Sequence, residues 1–132
     1  MYLVDTNIWI ERLLNHRRSE EVGEFLAQTY SRELFVTDLC LHALAFIMIR
    51  FEKKQEFIAF LNDLFDNGKI TVVSLTPMEI KSVINLMDNH NLDYEDAYML
   101  ECARKYDLVV VTINECLKKI DSKVLDPKEI IY

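Results

Sequence analysis

The chain has 132 residues, with 15 Lys and Arg against 22 Asp and Glu, a net charge of −7, and 51% hydrophobic and 28% charged residues. This balance excludes an intrinsically disordered chain, and it excludes a protein that coats nucleic acid through bulk positive charge, because phosphate binding is driven mainly by Lys and Arg. The length suits one domain over residues 1–132 with a real core, and only two glycines and two prolines imply short connections between regular elements.

Tyr2-Leu3-Val4 reads as a short apolar strand, ended by Asp5-Thr6-Asn7, residues able to cap a helix. Ile8 to Leu14 then reads as that helix. Ser19 opens a second one, with Val22, Phe25 and Leu26 at helical spacing and Glu20 and Glu21 in the first turn, where the helix dipole favours acids. Leu34-Phe35-Val36 is a second strand, and Thr37-Asp38 cap a largely apolar helix to about Phe51. Glu56 to Phe65 carries Phe57, Phe60, Leu61 and Leu64 on one helical face and is stopped at Asn67-Gly68. Ile70 to Ser74 is a β-branched third strand, and Thr76-Pro77 starts the next helix, since proline is tolerated at the first helical position.

Asp93 opens another helix that runs through Lys105. Leu108 to Val111 is a continuous apolar run, the mark of a strand covered on both faces, and Lys123-Val124-Leu125 makes a short fifth strand. The alternation of strands and helices predicts an α/β fold, a central parallel sheet of four to five strands with helices on both sides in three layers.

Cys40, Cys102 and Cys116 show no metal-type spacing and each sits among apolar neighbours, which predicts reduced, buried thiols in a cytoplasmic protein. The N-terminus runs directly into Tyr2-Leu3-Val4-Asp5, so no signal peptide is expected. The longest apolar run, Leu39 to Phe51, is interrupted by His42 and Arg50 and is too short to span a bilayer. With Ile47, Met48 and Ile49 in series it exceeds the needs of one core-facing stripe, so it is either sandwiched in the core or part of a homodimer contact. Trp9 and Phe51 are expected in the core.

Ligands of open parallel sheets bind at the carboxyl ends of the strands. There the sequence places Asp5-Thr6-Asn7, Thr37-Asp38, Ser74-Leu75-Thr76 and Thr112-Ile113-Asn114-Glu115. All are oxygen donors of the hard type that magnesium prefers, and each taken singly is also an ordinary helix cap or turn residue. Asp93 and Asp96, three apart, share a helix face, and Asp38 lies one turn before His42 on another.

Three segments in this order, Leu3-Val4-Asp5-Thr6-Asn7, Leu92-Asp93-Tyr94-Glu95-Asp96-Ala97 and Val109-Val110-Val111-Thr112 leading to Asn114, resemble the PIN-domain nucleases, including the toxins of bacterial and archaeal toxin–antitoxin pairs. The resemblance spans nearly the whole chain. It implies a PIN-like three-layer fold, a pocket holding Mg2+ or Mn2+, and hydrolysis of RNA phosphodiesters by a metal-activated water. It also implies four acidic slots. Asp5 and Asp96 fill two of them, as catalytic residues and metal ligands. The slot after the second strand falls at His42 or, more naturally, Ala43, and the last is Asn114, which keeps an oxygen but not the charge. Asp93 joins Asn114 as a further metal ligand, with Asn7, Asp38, His42 and Thr112 in support and Glu115 flanking Asn114. The clusters His16-Arg17-Arg18 and Lys118-Lys119 are the best placed to meet RNA phosphates. The expected partners are an RNA substrate, an antitoxin protein and a second copy of the chain. With two acids missing, a PIN fold that binds RNA or protein without catalysis is the alternative.

Overall fold

The computed structural model describes residues 1–121 and 123–131. Five short strands, β1 (Tyr2–Val4), β2 (Leu34–Thr37), β3 (Thr71–Val73), β4 (Val109–Val111) and β5 (Val124–Leu125), form one parallel sheet in the order β3-β2-β1-β4-β5. The register sets Leu3 beside Phe35 and Val110, Val4 beside Val111, and Thr37 beside Val73. The carboxyl ends of the three inner strands therefore lie level.

Side chains alternate across the sheet, as the pleat requires. Leu3, Val73, Val110 and Val124 face one layer, made by α5 (Ile80–His90), α6 (Tyr94–Tyr106) and Leu117 of the short α7 (Glu115–Lys118). Val4, Leu34, Val36 and Val111 face the other, made by α1 (Thr6–Leu13), α2 (Ser19–Gln28), α3 (Asp38–Arg50) and, more loosely, α4 (Lys54–Leu61). The three-layer α/β/α architecture expected from the sequence is thus the observed one. Among the described residues, no helix is long and apolar enough to cross a membrane.

Several local details differ from expectation. The helix expected at Thr76-Pro77 begins about one turn later, at Ile80. Thr76 and Glu79 close a turn first, through Thr76 N–H to Glu79 Oε1 at 2.8 Å and Glu79 N–H to the Thr76 carbonyl at 3.0 Å. Such i→i+3 closure uses up the proline without starting the α-helical ladder. Past Leu61 the helix widens into a π-type turn over Asn62–Asp66, with Asn67 N–H reaching back to the Asn62 carbonyl at 3.0 Å. Gly68 ends it, because a Cβ there would stand 2.8 Å from the Leu64 carbonyl oxygen. Asn91 and Asp107 close α5 and α6 in the left-handed conformation, which short polar side chains tolerate best after glycine.

Trp9 is buried, edge-on to Phe60, whereas Phe51 is 57% exposed and does not belong to the core. Cys40 and Cys102 are buried thiols, and Cys116, expected to be buried as well, is exposed at the start of α7, where two polar residues precede the one inward side chain, Leu117. Helix α3 buries Cys40, Leu44 and Met48 but leaves Phe46 and Ile49 exposed, so it is not sandwiched in the core.

Candidate active site

Strand order reverses at β1. β2 and β3 extend to one side of it and β4 and β5 to the other, so the crevice at the carboxyl ends of β1 and β4 is the switch point where open α/β sheets bind ligands. Asp5 stands there. Its backbone has the extended geometry of a helix N-cap, yet its side chain makes no capping hydrogen bond to α1. The residue is 6% exposed, and its carboxylate Oδ2 accepts a 2.7 Å hydrogen bond from the hydroxyl of Thr112. Thr112 is fully buried, and its oxygen accepts in turn from Asn7 Nδ2 at 3.1 Å and from the Asn114 backbone N–H at 3.0 Å. The Asp5 backbone N–H is tied to the Val111 carbonyl at 2.9 Å. A buried polar chain satisfied in this way fixes the direction of the acid.

Asp96, in the first turn of α6, comes to the same place from the other side of the sheet's midline. Asp5, Thr6, Asn7, Ile10, Ile47, Glu95 and Asp96 line one open cleft of about 280 Å³. The carboxyl of Asp5 is raised to about 7, first by burial and then by the charge of Asp96, with the Thr112 hydrogen bond opposing. That of Asp96 is raised to about 6, again first by burial and then by the charges of Asp93 and Glu95. None of the described ion pairs brings a basic side chain to Asp5, Glu95 or Asp96. The cleft therefore carries negative charge that its own residues leave unneutralised.

The remaining expected ligands are placed differently. Asp93 is the N-cap of α6, its Oδ1 accepting from Asp96 N–H at 2.8 Å. Asn114 is the N-cap of α7, its Oδ1 accepting from Cys116 N–H at 3.0 Å. For these two the capping alternative describes the geometry, with the Oδ1 of each engaged at the start of its helix. Asp38 accepts from the Tyr98 hydroxyl at 2.8 Å and from Leu39 N–H at 2.9 Å, which ties α3 to α6. His42 is exposed, outside the residues that line the cleft. Towards Asp5, α3 offers Cys40, which lines a small void with Asp5, Thr6, Thr37 and Glu95, and Ile47. Ala43 falls between them at helical spacing, so this face of α3 offers no oxygen ligand.

Glu95 is the site residue that sequence reasoning did not single out. It lines the cleft, and its Oε1 accepts a 2.6 Å hydrogen bond from the Thr6 hydroxyl, 89 residues earlier. In the sequence it is one more acid in the first turn of a helix, where the dipole alone accounts for it, and only its position next to Asp96 could have marked it.

The donor set suits one hard, hydrated cation. Magnesium takes one or two carboxylates and fills its other positions with water and substrate phosphate, and Asp5 and Asp96 can supply those two. Among the described residues, no three His, Cys, Asp or Glu side chains converge closely enough to enclose an ion by themselves. The basic clusters are partly committed elsewhere. Arg18 pairs with Glu21 at 2.8 Å and with the buried Asp126 at 2.5 Å, and Lys118 pairs with Glu129. These contacts pin the segment after β5 onto α2 and α7 and leave His16, Arg17 and Lys119 as the exposed members of their clusters.

The family model described as PIN domain matches residues 2–123. Comparison with curated proteins finds no match. Among solved structures, the chain is similar to one in a toxin–antitoxin complex from Klebsiella pneumoniae, with a TM-score of 0.76 and 19% identity, covering 96% of this chain and 98% of that one. It is similar to FitAcB from Neisseria gonorrhoeae, with a TM-score of 0.71 and 17% identity over 97% and 99% of the two chains. It is also similar to PAE2754 from Pyrobaculum aerophilum, with a TM-score of 0.69 and 16% identity over 98% and 92%. At these identities the likeness establishes a common fold.

Proposed function

The chain belongs to the PIN domain family, and from that premise we propose that it is a Mg2+- or Mn2+-dependent endoribonuclease, acting in the cytoplasm as the toxin of a toxin–antitoxin pair. One observation carries this reading. The carboxylate of Asp5 is not spent on capping its helix but is buried against Thr112, and it lines one cleft with Asp96 to which no ion pair among the described residues brings a basic side chain. Holding two carboxylates this way costs stability, and a divalent cation would relieve that cost.

Asp5 and Asp96 would hold the ion. Thr112 and Asn7 keep the Asp5 carboxylate pointed into the cleft. When bound, a divalent cation makes water a better nucleophile and screens the phosphate charge. Ile10 and Ile47 give the cleft an apolar wall, against which the sugar or base beside the cut phosphate can rest. Arg17 and Lys119 remain available to meet phosphates. The partner reading rests on the Klebsiella toxin–antitoxin complex, and an antitoxin encoded beside this chain is the expected neutralising partner. The exposed Phe46, Ile49 and Phe51 of α3 and its C-terminus give a homodimer an apolar face to bury.

A second reading, a PIN fold that binds RNA or protein without cutting, is favoured by specific residues: Ala43 and Asn114 stand where the resemblance calls for acids, and no three ligands converge among the described residues. Cleavage of RNA by the purified protein with and without Mn2+, compared with Asp5→Asn and Asp96→Asn, decides between them. The nuclease reading expects metal-dependent cleavage that both variants lose. Equal cleavage by all three proteins would mark a contaminant and leave the binding module.

A further inference from the structure

Asp5 and Asp96 lie 91 positions apart in the chain, and what sets their separation in the fold is a structural question of its own. The residue after Asp5 is Thr6, the first residue of α1, and the residue before Asp96 is Glu95, in the first turn of α6. The Thr6 hydroxyl donates to Glu95 Oε1 at 2.6 Å. Among the described hydrogen bonds this is the one that joins α1 to α6. Such O–H···O− bonds are short and roughly twice as strong as neutral ones. An acid in the first turn of a helix is free to extend into water, yet this one is turned back over the cleft, next to two other carboxylates. Its Oε1 is committed to the Thr6 hydroxyl, and no three His, Cys, Asp or Glu side chains among the described residues form a ready-made ligand cluster. The hydrogen bond itself is the role that the geometry leaves.

We propose that Thr6 and Glu95 are positioning residues: their hydrogen bond clamps the start of α1 to the start of α6 and so sets the spacing at which Asp5 and Asp96 meet one divalent cation. The inference rests on the cation-binding reading of the cleft. The clamp acts through its neighbours, so the acceptor atom of residue 95 sets the spacing, while its charge strengthens the bond and adds modestly to the pull of the cleft on a cation.

Mn2+ titration of the metal-free full-length protein tests this, with thermal midpoints in EDTA recorded for every variant. Thr6→Val is expected to weaken Mn2+ binding about 10-fold, the range typical of groups that orient metal ligands, and Thr6→Ser to restore it. Glu95→Gln, which still accepts from Thr6, keeps affinity within about threefold, whereas Glu95→Ala matches Thr6→Val. The double variant Thr6→Val/Glu95→Ala is no weaker than either single one, as expected for two halves of one interaction. Wild-type affinity in Thr6→Val, additive losses in the double variant, or equal losses in Glu95→Gln and Glu95→Ala would each overturn the clamp while leaving the cation site standing. If wild type binds no Mn2+, or Asp5→Asn binds it as tightly as wild type, the cation site itself fails and the clamp with it.

Discussion

Replacing Asp5 by Asn should stabilise the metal-free protein at alkaline pH. The carboxyl of Asp5 is raised from its ordinary 3.8 to about 7 by burial and by the charge of Asp96, against the Thr112 hydrogen bond. A group whose folded value lies above its unfolded one favours the fold at low pH. Stability is greatest below the unfolded value, falls as pH rises from about 4, and levels off above about 7. Each pH unit between the two values corresponds to about 1.4 kcal/mol, so ionising Asp5 in the fold costs about 4 kcal/mol. The Asp5→Asn variant removes that cost and keeps an oxygen to accept from Thr112, but the new amide N–H2 is short of a partner, a loss of about 1–3 kcal/mol. The net gain expected at pH 8 in EDTA is about 1–3 kcal/mol, a rise of roughly 4–12 °C in Tm for a chain of this size. Thermal unfolding of both proteins at pH 4.5, 6 and 8, in EDTA and in Mn2+, measures it. The gap should close towards pH 4.5, and Mn2+ should narrow or reverse it, since only the wild-type carboxylate gains from the ion. A variant less stable than wild type at pH 8 without metal, or a gap independent of pH, would refute the reasoning.

The same carboxyls make ion binding compete with protons. With Asp5 near 7 and Asp96 near 6, Mn2+ affinity measured by titration should rise on the order of 100-fold between pH 5.5 and 7.5, and a flat profile would place the ion elsewhere. Placing a carboxylate between Cys40 and Ile47 in Ala43→Glu should tighten Mn2+ at least about 10-fold and raise cleavage, because it adds a hard ligand on the face of α3 turned to Asp5. Unchanged affinity in that variant would mean that α3 does not face the ion. Arg18→Ala should cost about 3 kcal/mol in urea unfolding at pH 7, because it strands the buried carboxylate of Asp126, whose Oδ2 already lacks a partner among the described residues. Burial pushes the Asp126 carboxyl up, but the Arg18 and Lys128 contacts outweigh it and hold the group below its ordinary range. The wild-type advantage is therefore present above about pH 4 and should be lost as pH falls below it.

The layers and strands were legible because a short apolar run such as Leu108 to Val111 can satisfy its backbone only within a covered parallel sheet. The strand-end rule pointed to Asp5 and to Thr112 with Asn114, whereas Asp96, which lies in the first turn of α6 and follows no strand, was paired with Asp5 only through the resemblance to PIN domains. Features that depend on long-range partners were not legible. Thr6 and Glu95 are 89 residues apart, and each alone is an ordinary first-turn helix residue. Arg18 and Lys118 read as RNA-facing cations, and only the fold brings Asp126 and Glu129 to them. Asp93 and Asn114 could not be told from Asp5 by residue type, since all three precede helices. What separates them is that two side chains turn back to cap and the third turns to Thr112. Phe51 was assigned to the core on hydrophobicity alone, and a helix as apolar as α3 carries too little periodicity to show which side faces out.

Whether Asp5 and Asp96 share one divalent cation decides the functional reading. Anomalous diffraction from crystals equilibrated with millimolar Mn2+ near pH 7.5 tests it most directly. A single Mn2+ peak within ligand distance of both carboxylates, absent from crystals of Asp5→Asn, is the predicted result. A cleft without a peak at that concentration, or Mn2+ bound only at other acids, would contradict it.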